Sequence, residues 1–166
     1  MFDRVEIEVR AGDGGDGVVS FRREKFVPFG GPDGGDGGDG GDVVVVAEPA
    51  VSSLLQFRRK RFYRAADGKN GKGKKQHGRR GENLELAVPV GTVVLTKTQV
   101  VGDALMDDLE QAGQRVVVAR GGKGGLGNVH FASSTNKAPQ VAQKGEAGEE
   151  KAIILELRVI ADIGII

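Results

Sequence analysis

Between Gly30 and Asp42 the sequence reads GGPDGGDGGDGGD. Glycine recurs as Gly31, Gly34, Gly37 and Gly40, and again as Gly35, Gly38 and Gly41, while aspartate falls at 33, 36, 39 and 42. A strict period of three suits neither an α-helix nor a β-strand. It suits polyproline II, which has three residues per turn and a rise of ~3.1 Å. In that conformation two faces are bare backbone and the third carries carboxylates about 9 Å apart. Polyproline II makes no internal hydrogen bonds, so buried N–H and C=O groups need partners on neighbouring segments. Bare glycine faces admit such neighbours. The sequence offers two more: Gly12, Gly14, Gly15 and Gly17, and Gly121, Gly122, Gly124, Gly125 and Gly127. An internal echo at an offset of 110 relates Arg10, Gly12, Gly14, Gly15, Gly17, Val19 and Phe21 to Arg120, Gly122, Gly124, Gly125, Gly127, Val129 and Phe131. The expectation is two similar arms flanking the 30–42 segment, with the strands forming a separate small antiparallel sheet or barrel.

Those strands follow from alternation. Val5, Ile7 and Val9 alternate with charges, as do Leu84, Leu86 and Val88. Val43 to Val46, Thr92 to Thr96, Arg115 to Ala119 and Ile153 to Ile160 read as further strands. Residues 103–110 fit a short helix or an irregular strand, 51–56 fit one helical turn, and 128–144 read as loop with a short strand. The class is therefore all-β. Glycine makes up 28 of 166 residues, but five prolines and four triplets exclude collagen. The charged, alternating N-terminus is no signal peptide, and no apolar run approaches the ~18 residues of a membrane span. A soluble cytoplasmic monomer is expected.

Several motifs imitate chemistry. Gly12-Gly14-Gly17 and Gly122-Gly124-Gly127 match G-x-G-x-x-G, but no helical pattern follows either, so no pyrophosphate site is expected. Residues 68–75, GKNGKGKK, lack the hydroxyl that ends a phosphate-binding loop. The aspartate row lacks the nine-residue period of calcium repeats. There is no cysteine, and His77 and His130 stand alone in the sequence. No metal site and no catalytic group are expected.

The strongest functional signal is charge. Residues 57–81 hold eleven Lys and Arg side chains against Asp67 alone, a net +10 within a total of +1. Such a run binds phosphates with counterion release. Phe57, Phe62, Tyr63 and His77 interleave with it and are suited to stack on bases. Glycines suggest a flexible loop, and no major-groove helix is evident, which favours RNA over DNA. Arg22, Arg23 and Lys25 are candidates to join the same surface.

SFRREKFVPFGGPDGGDGGDGGDV (20–43), KNGKGKKQHGRRGENLELAVPVGTVV (69–94), GQRVVVARGGKGGLGN (113–128) and LELRVIADIGII (155–166) together resemble the N-terminal domain of the Obg family of GTPases. The resemblance implies glycine-rich polyproline II arms projecting from a small β-barrel. It implies that loop tips contact 23S-type rRNA in the peptidyl-transferase region of the large ribosomal subunit, whose assembly the family assists. The tips would comprise Arg22, Arg23, Lys25 and Phe26, then Lys72, Lys74, Lys75, His77, Arg79 and Arg80, then Asn136 and Lys137. Residues 161–164 would lead into the nucleotide-binding loop, which this sequence does not reach. The parent would use GTP and Mg²⁺, and this chain would bind neither and catalyse nothing. The implied division is 1–152 for the glycine-rich domain and 153–166 for a linker and first strand of a GTPase domain. Two other readings remain: a module whose arms dock a protein partner, and a nucleotide-dependent enzyme.

Overall fold

A computed structural model describes residues 2–23 and 30–158. Strands β1 (Phe2–Arg10), β2 (Val43–Ala47), β3 (Phe62–Arg64), β4 (Leu84–Val88), β5 (Thr92–Thr96), β6 (Ala104–Leu109), β7 (Arg115–Ala119) and β8 (Glu150–Arg158) form two sheets. One runs β3-β1-β8-β5-β6 and the other β4-β2-β7. The all-β expectation holds, but the sheets do not close into a barrel. They are also mixed rather than purely antiparallel, because β1 pairs in parallel with β3 and β2 with β4. The arms explain this. β1, β3 and β7 each run into an outgoing arm, and each returning arm feeds β2, β4 or β8. Two outgoing strands side by side must be parallel, and so must two strands fed by returning arms.

The alternation read in β1 places Val5, Ile7 and Val9 in the core, and β4 adds Leu86 and Val88. Val43, Val45, Val94, Leu109 and Val118 complete the layer between the sheets. The helical turn expected at 51–56 lies at Leu55–Arg59 (α1), and its Phe57 is fully buried with Leu54. The ambiguous stretch 103–110 contains strand β6, and a 3₁₀ turn occupies Asn128–Phe131 within the stretch 128–144 read as loop with a short strand. The boundary expected at 152 falls inside β8. Ile153, Ile154 and Leu155 are buried there, and the strand pairs with β1 and β5. Residues 153–158 are therefore part of this sheet, and the remainder of the implied linker lies outside the described residues.

Candidate nucleic-acid interface

Six extended arms, not three, leave the body: residues 11–22, 31–42, 65–72, 76–83, 120–127 and 141–149. Their backbone bonds repeat every third residue. Gly12, Gly15 and Val18 donate N–H to the carbonyls of Gly41, Gly38 and Gly35 at 2.9, 2.8 and 3.2 Å. Gly35, Gly38 and Gly41 donate in turn to Lys72, Lys69 and Ala66 at 3.0, 2.8 and 2.8 Å. Gly37 and Gly40 donate to Gly125 and Gly122, both at 2.8 Å. The first two arms are thus central, and each touches four others. These contacts exist because no Cβ intervenes. A Cβ on Gly37 would lie 1.9 Å from the Gly15 carbonyl oxygen, and one on Gly124 1.9 Å from that of Gly37.

Two glycines of the 30–42 segment depart from the uniform role expected of them. Gly34 continues the series of Gly37 and Gly40, but its N–H donates to a side chain, Asn128 Oδ1, at 2.9 Å rather than to a backbone carbonyl. The reason is that the facing arm ends there, at the 3₁₀ turn, and the buried Asn128 amide takes the place of the next carbonyl. Gly34 is still closely packed, since a Cβ there would lie 1.9 Å from the Val18 carbonyl oxygen and 2.4 Å from Asn128 Oδ1. Gly31 is not: a Cβ would meet nothing within 4 Å, so close packing does not require glycine at that position.

The aspartate row is consumed within this lattice. Asp36, Asp39 and Asp42 accept N–H bonds from Gly127, Gly124 and Gly121 at 2.8, 2.8 and 2.7 Å. Asp16 and Asp13 do the same for Gly145 and Gly148, both at 2.9 Å. A second polar row runs the other way: Asp67, Asn70 and Asn83 accept from the N–H of Asp13, Asp16 and Asp42, each at 2.8 Å. The three-residue spacing of Asp67 and Asn70, and of His77, Arg80 and Asn83, was the sequence signal for these extra arms.

The segment read as one flexible +10 loop is three things. Its first part is α1 and β3, where Phe57 packs edge-on to Tyr63 with ring centroids 5.6 Å apart. Burial pushes the Tyr63 phenol above its ordinary range. Phe57 is fully buried and Tyr63 half-buried beside it, whereas Phe62 is exposed. The middle part forms the third and fourth arms. At the junction with the body, Asp67 is held below the usual carboxylate range, first by the Asp13 N–H and then by Arg64.

The last part is the tip. Residues 73–76 make a tight turn in which Gln76 N–H donates to the Gly73 carbonyl at 3.3 Å. Lys74 and Lys75 sit at φ 60° and 57°, the left-handed region that Asn and Gly prefer. Asp33 holds them there. Its carboxylate accepts the Lys74 N–H at 3.1 Å and its carbonyl the Lys75 N–H at 2.6 Å. Asp33 is 5% exposed, while both lysine side chains are exposed. Two non-glycine residues in this region cost on the order of 1 kcal/mol each, a strain typical of functional sites. Across the cleft, Arg22 and Arg23 lie beyond the Gly30–Arg22 and Arg22–Gly31 backbone bonds of 3.2 and 2.9 Å. Arg22, Arg23, Lys74 and Lys75 line one cleft with Phe21, of about 700 Å³.

The other expected residues are dispersed. Lys72, His77 and Arg79 line a second cleft on the flank with Lys69. Arg80 faces back along the arm, 3.8 Å from Asp42. His77 serves the lattice: its Nδ1 accepts the Asp36 N–H at 3.1 Å. His130 reaches the same residue, its Nε2 2.9 Å from Asp36 Oδ1, so the two histidines are not isolated. Asn136 braces its own loop through Ser133 and Ala138, with Lys137 exposed beside it. Lys25 and Phe26 lie outside the described residues. Among those described, no group of His, Asp and Glu is placed to hold a metal, and no helix is long and apolar enough to cross a membrane.

The molecule is a lattice of glycine-rich arms on a two-sheet body, ending in a cationic cleft. That architecture has a known sequence counterpart: the chain matches the family described as GTP1/OBG over residues 2–159 and belongs to it. It is 57% identical over its full length to "GTPase Obg" of Dehalococcoides mccartyi (strain ATCC BAA-2266 / KCTC 15142 / 195), covering 39% of that protein. "GTPase Obg" of Pseudothermotoga lettingae is 57% identical over 99% of the chain and 37% of the relative, and that of Desulfitobacterium hafniense 52% over 100% and 38%. The chain thus spans under two-fifths of these curated relatives.

Proposed function

We propose that this chain is the RNA-contacting module of a GTPase, carrying its cationic tip into rRNA of the large ribosomal subunit during assembly. The parent would hydrolyse GTP with Mg²⁺, and this chain would contribute recognition and no catalysis. One observation carries the reading: Arg22, Arg23, Lys74 and Lys75 converge on a single exposed cleft. Of the arm aspartates only Asp33 lines that cleft, where it is 5% exposed and accepts the Lys74 N–H, while Asp36, Asp39 and Asp42 are bonded to backbone N–H groups elsewhere. Recognition is then by charge and shape, with a stiff support. The three-residue bond period, and the φ of −70° and ψ of 166° at Gly127, favour polyproline II for the arms.

The test is binding to large ribosomal subunits across a salt series, for the chain as it stands and with the four tip cations changed to Gln. Four lost phosphate contacts should flatten the log–log salt slope by about 3 units. An unchanged slope in a variant with an unchanged melting curve would refute the tip as the RNA contact. Titration with GTP and Mg²⁺ should give no heat, and a binding isotherm would overturn the division of labour.

A further inference from the structure

The five-stranded sheet has two edges of opposite character. β3 is three residues long, ends in Arg64 and is preceded by Lys60 and Arg61, the usual protection against pairing with another chain. β6 has six residues and pairs only with β5. From residue 98 to 114 there is no Lys, Arg or Pro, but there are Asp103, Asp107, Asp108 and Glu110. A register irregularity between Val94 and Leu95 leaves Met106 unpaired, so the two sides of β6 are Ala104–Leu105 and Asp107–Leu109.

This edge also carries the most exposed large apolar side chains of the described residues. Val100 is 92% exposed, Val101 79% and Leu105 65%. All three fall within six residues, in the β5–β6 connection and the start of β6. Scattered exposed apolar residues need no explanation, but a cluster beside an unpaired strand marks a contact surface. Asp103 is engaged by Arg4 at 3.1 Å, and Asp107 takes the Asp108 N–H at 2.8 Å. Asp108 is exposed, with no ion pair among the described residues.

We propose that the outer edge of β6 takes up a further strand from a protein partner, an extended segment in which Lys or Arg alternates with apolar side chains. Main-chain bonds along the first part of β6 would provide affinity, since the Asp108 N–H and carbonyl are already held by Asp107 and Gln114, and alternate side chains the selection. Apolar residues of the guest would cover Leu105 and the Val100–Val101 knuckle, and its cations, on the opposite face, would meet Asp107, whose strand partner is Val94. Charge selects this occupant over the two rivals. Phosphates would be repelled by the acids. A second copy of β6 would set aspartates against aspartates, and like charges on paired strands destabilise. This surface is separate from the cationic tip, so the inference stands independently of the RNA reading.

The experiment uses the 166-residue chain and synthetic nonapeptides. A Lys–Val alternating peptide should bind and slow amide exchange at residues 104–107 by tenfold or more. Glu–Val and Lys–Gly peptides of the same length should do neither. Leu105→Arg is an exposed substitution, expected to leave melting unchanged and to weaken Lys–Val binding at least tenfold. Binding without protection at β6, or equal protection by the Lys–Gly peptide, would overturn strand addition. Concentration-dependent dimerisation that protects β6 without peptide would assign the edge to a second copy and overturn the proposed partner.

Discussion

Replacing Gly37 by Ala introduces one methyl group at the centre of the arm lattice. Its carbon would stand 1.9 Å from the Gly15 carbonyl oxygen and 2.2 Å from the carbonyl carbon. Carbon–oxygen contacts in proteins close to about 3.3 Å, so the first two arms would have to part by roughly 1.4 Å. Both partners are backbone, and no rotamer can relieve the clash. Parting them stretches the bonds from Gly12, Gly15 and Val18 beyond hydrogen-bonding range. At about 1 kcal/mol net for each of three bonds, and more where a donor stays buried and unpaired, the loss is ~3–6 kcal/mol. Whole domains are stable by only ~5–15 kcal/mol. Gly31→Ala is the internal control, since a Cβ there meets nothing within 4 Å. Urea denaturation should show Gly37→Ala strongly destabilised and Gly31→Ala close to the parent. Amide exchange should show the loss concentrated in the arms, with β1 and β8 less affected. Equal midpoints and equal arm protection for the two variants would refute the close-packed lattice.

Two further outcomes follow from single contacts. Asp67 has a depressed pKa in the folded chain, owing first to the Asp13 N–H and then to Arg64, so its contribution is present above the unfolded value of ~3.9 and lost as pH falls through the folded value. Melting temperature should therefore drop below about pH 4, and Asp67→Asn should flatten that part of the profile; an unaltered profile would remove Asp67 from the acid response. Phe57→Ala should lose ~3–5 kcal/mol through the cavity and the Tyr63 contact. Phe62→Ala should change stability by no more than ~0.5 kcal/mol, and calorimetry of the pair separates the core ring from the displayed one.

How far the fold could be read in advance depended on which period a segment carried. Alternation in β1 and β4 placed strands directly, because every second residue meets the same core. The period of three in 30–42 identified a segment that needed neighbours, and the neighbours at 12–17 and 121–127 had the same glycine spacing. The period could not tell Gly31, which faces open space, from Gly34, which faces a side chain, because both obey the same repeat. Charge concealed the third and fourth arms. Lysines dominate residues 69–80, and their excess masked the weaker repeats of Asp67 and Asn70 and of His77, Arg80 and Asn83. Phe57 was misread for a related reason: four of the five residues after it are basic, yet α1 turns its ring inward. β8 was legible as a strand at 153–160 but not as part of this sheet, since its place between β1 and β5 is fixed by partners more than fifty residues away. In the candidate site, the lysine pair was legible as charge. The turn that aims it was not, because nothing near 74 and 75 in sequence announces the left-handed region; the reason sits on another arm, at Asp33.

That division explains how a chain with so much glycine and only 39% hydrophobic residues stays ordered so far from its core. The arms have almost no apolar interior to bury. They are held by backbone N–H groups donating to carbonyls and to aspartate and asparagine side chains, in a repeat that the closely packed glycines keep open. The cleft at the tip is lined by Arg22, Arg23, Lys74 and Lys75 with Asp33 as its one carboxylate, while Asp36, Asp39 and Asp42 are not among its lining residues. The far end is cationic because four cations there meet a single aspartate. A substitution such as Asp39→Ala should weaken the lattice at Gly124 without moving any tip cation. The two effects, arm order and tip charge, are then separable: loss of RNA affinity in Asp39→Ala should appear at all salt concentrations with an unchanged slope, whereas loss of tip cations changes the slope itself.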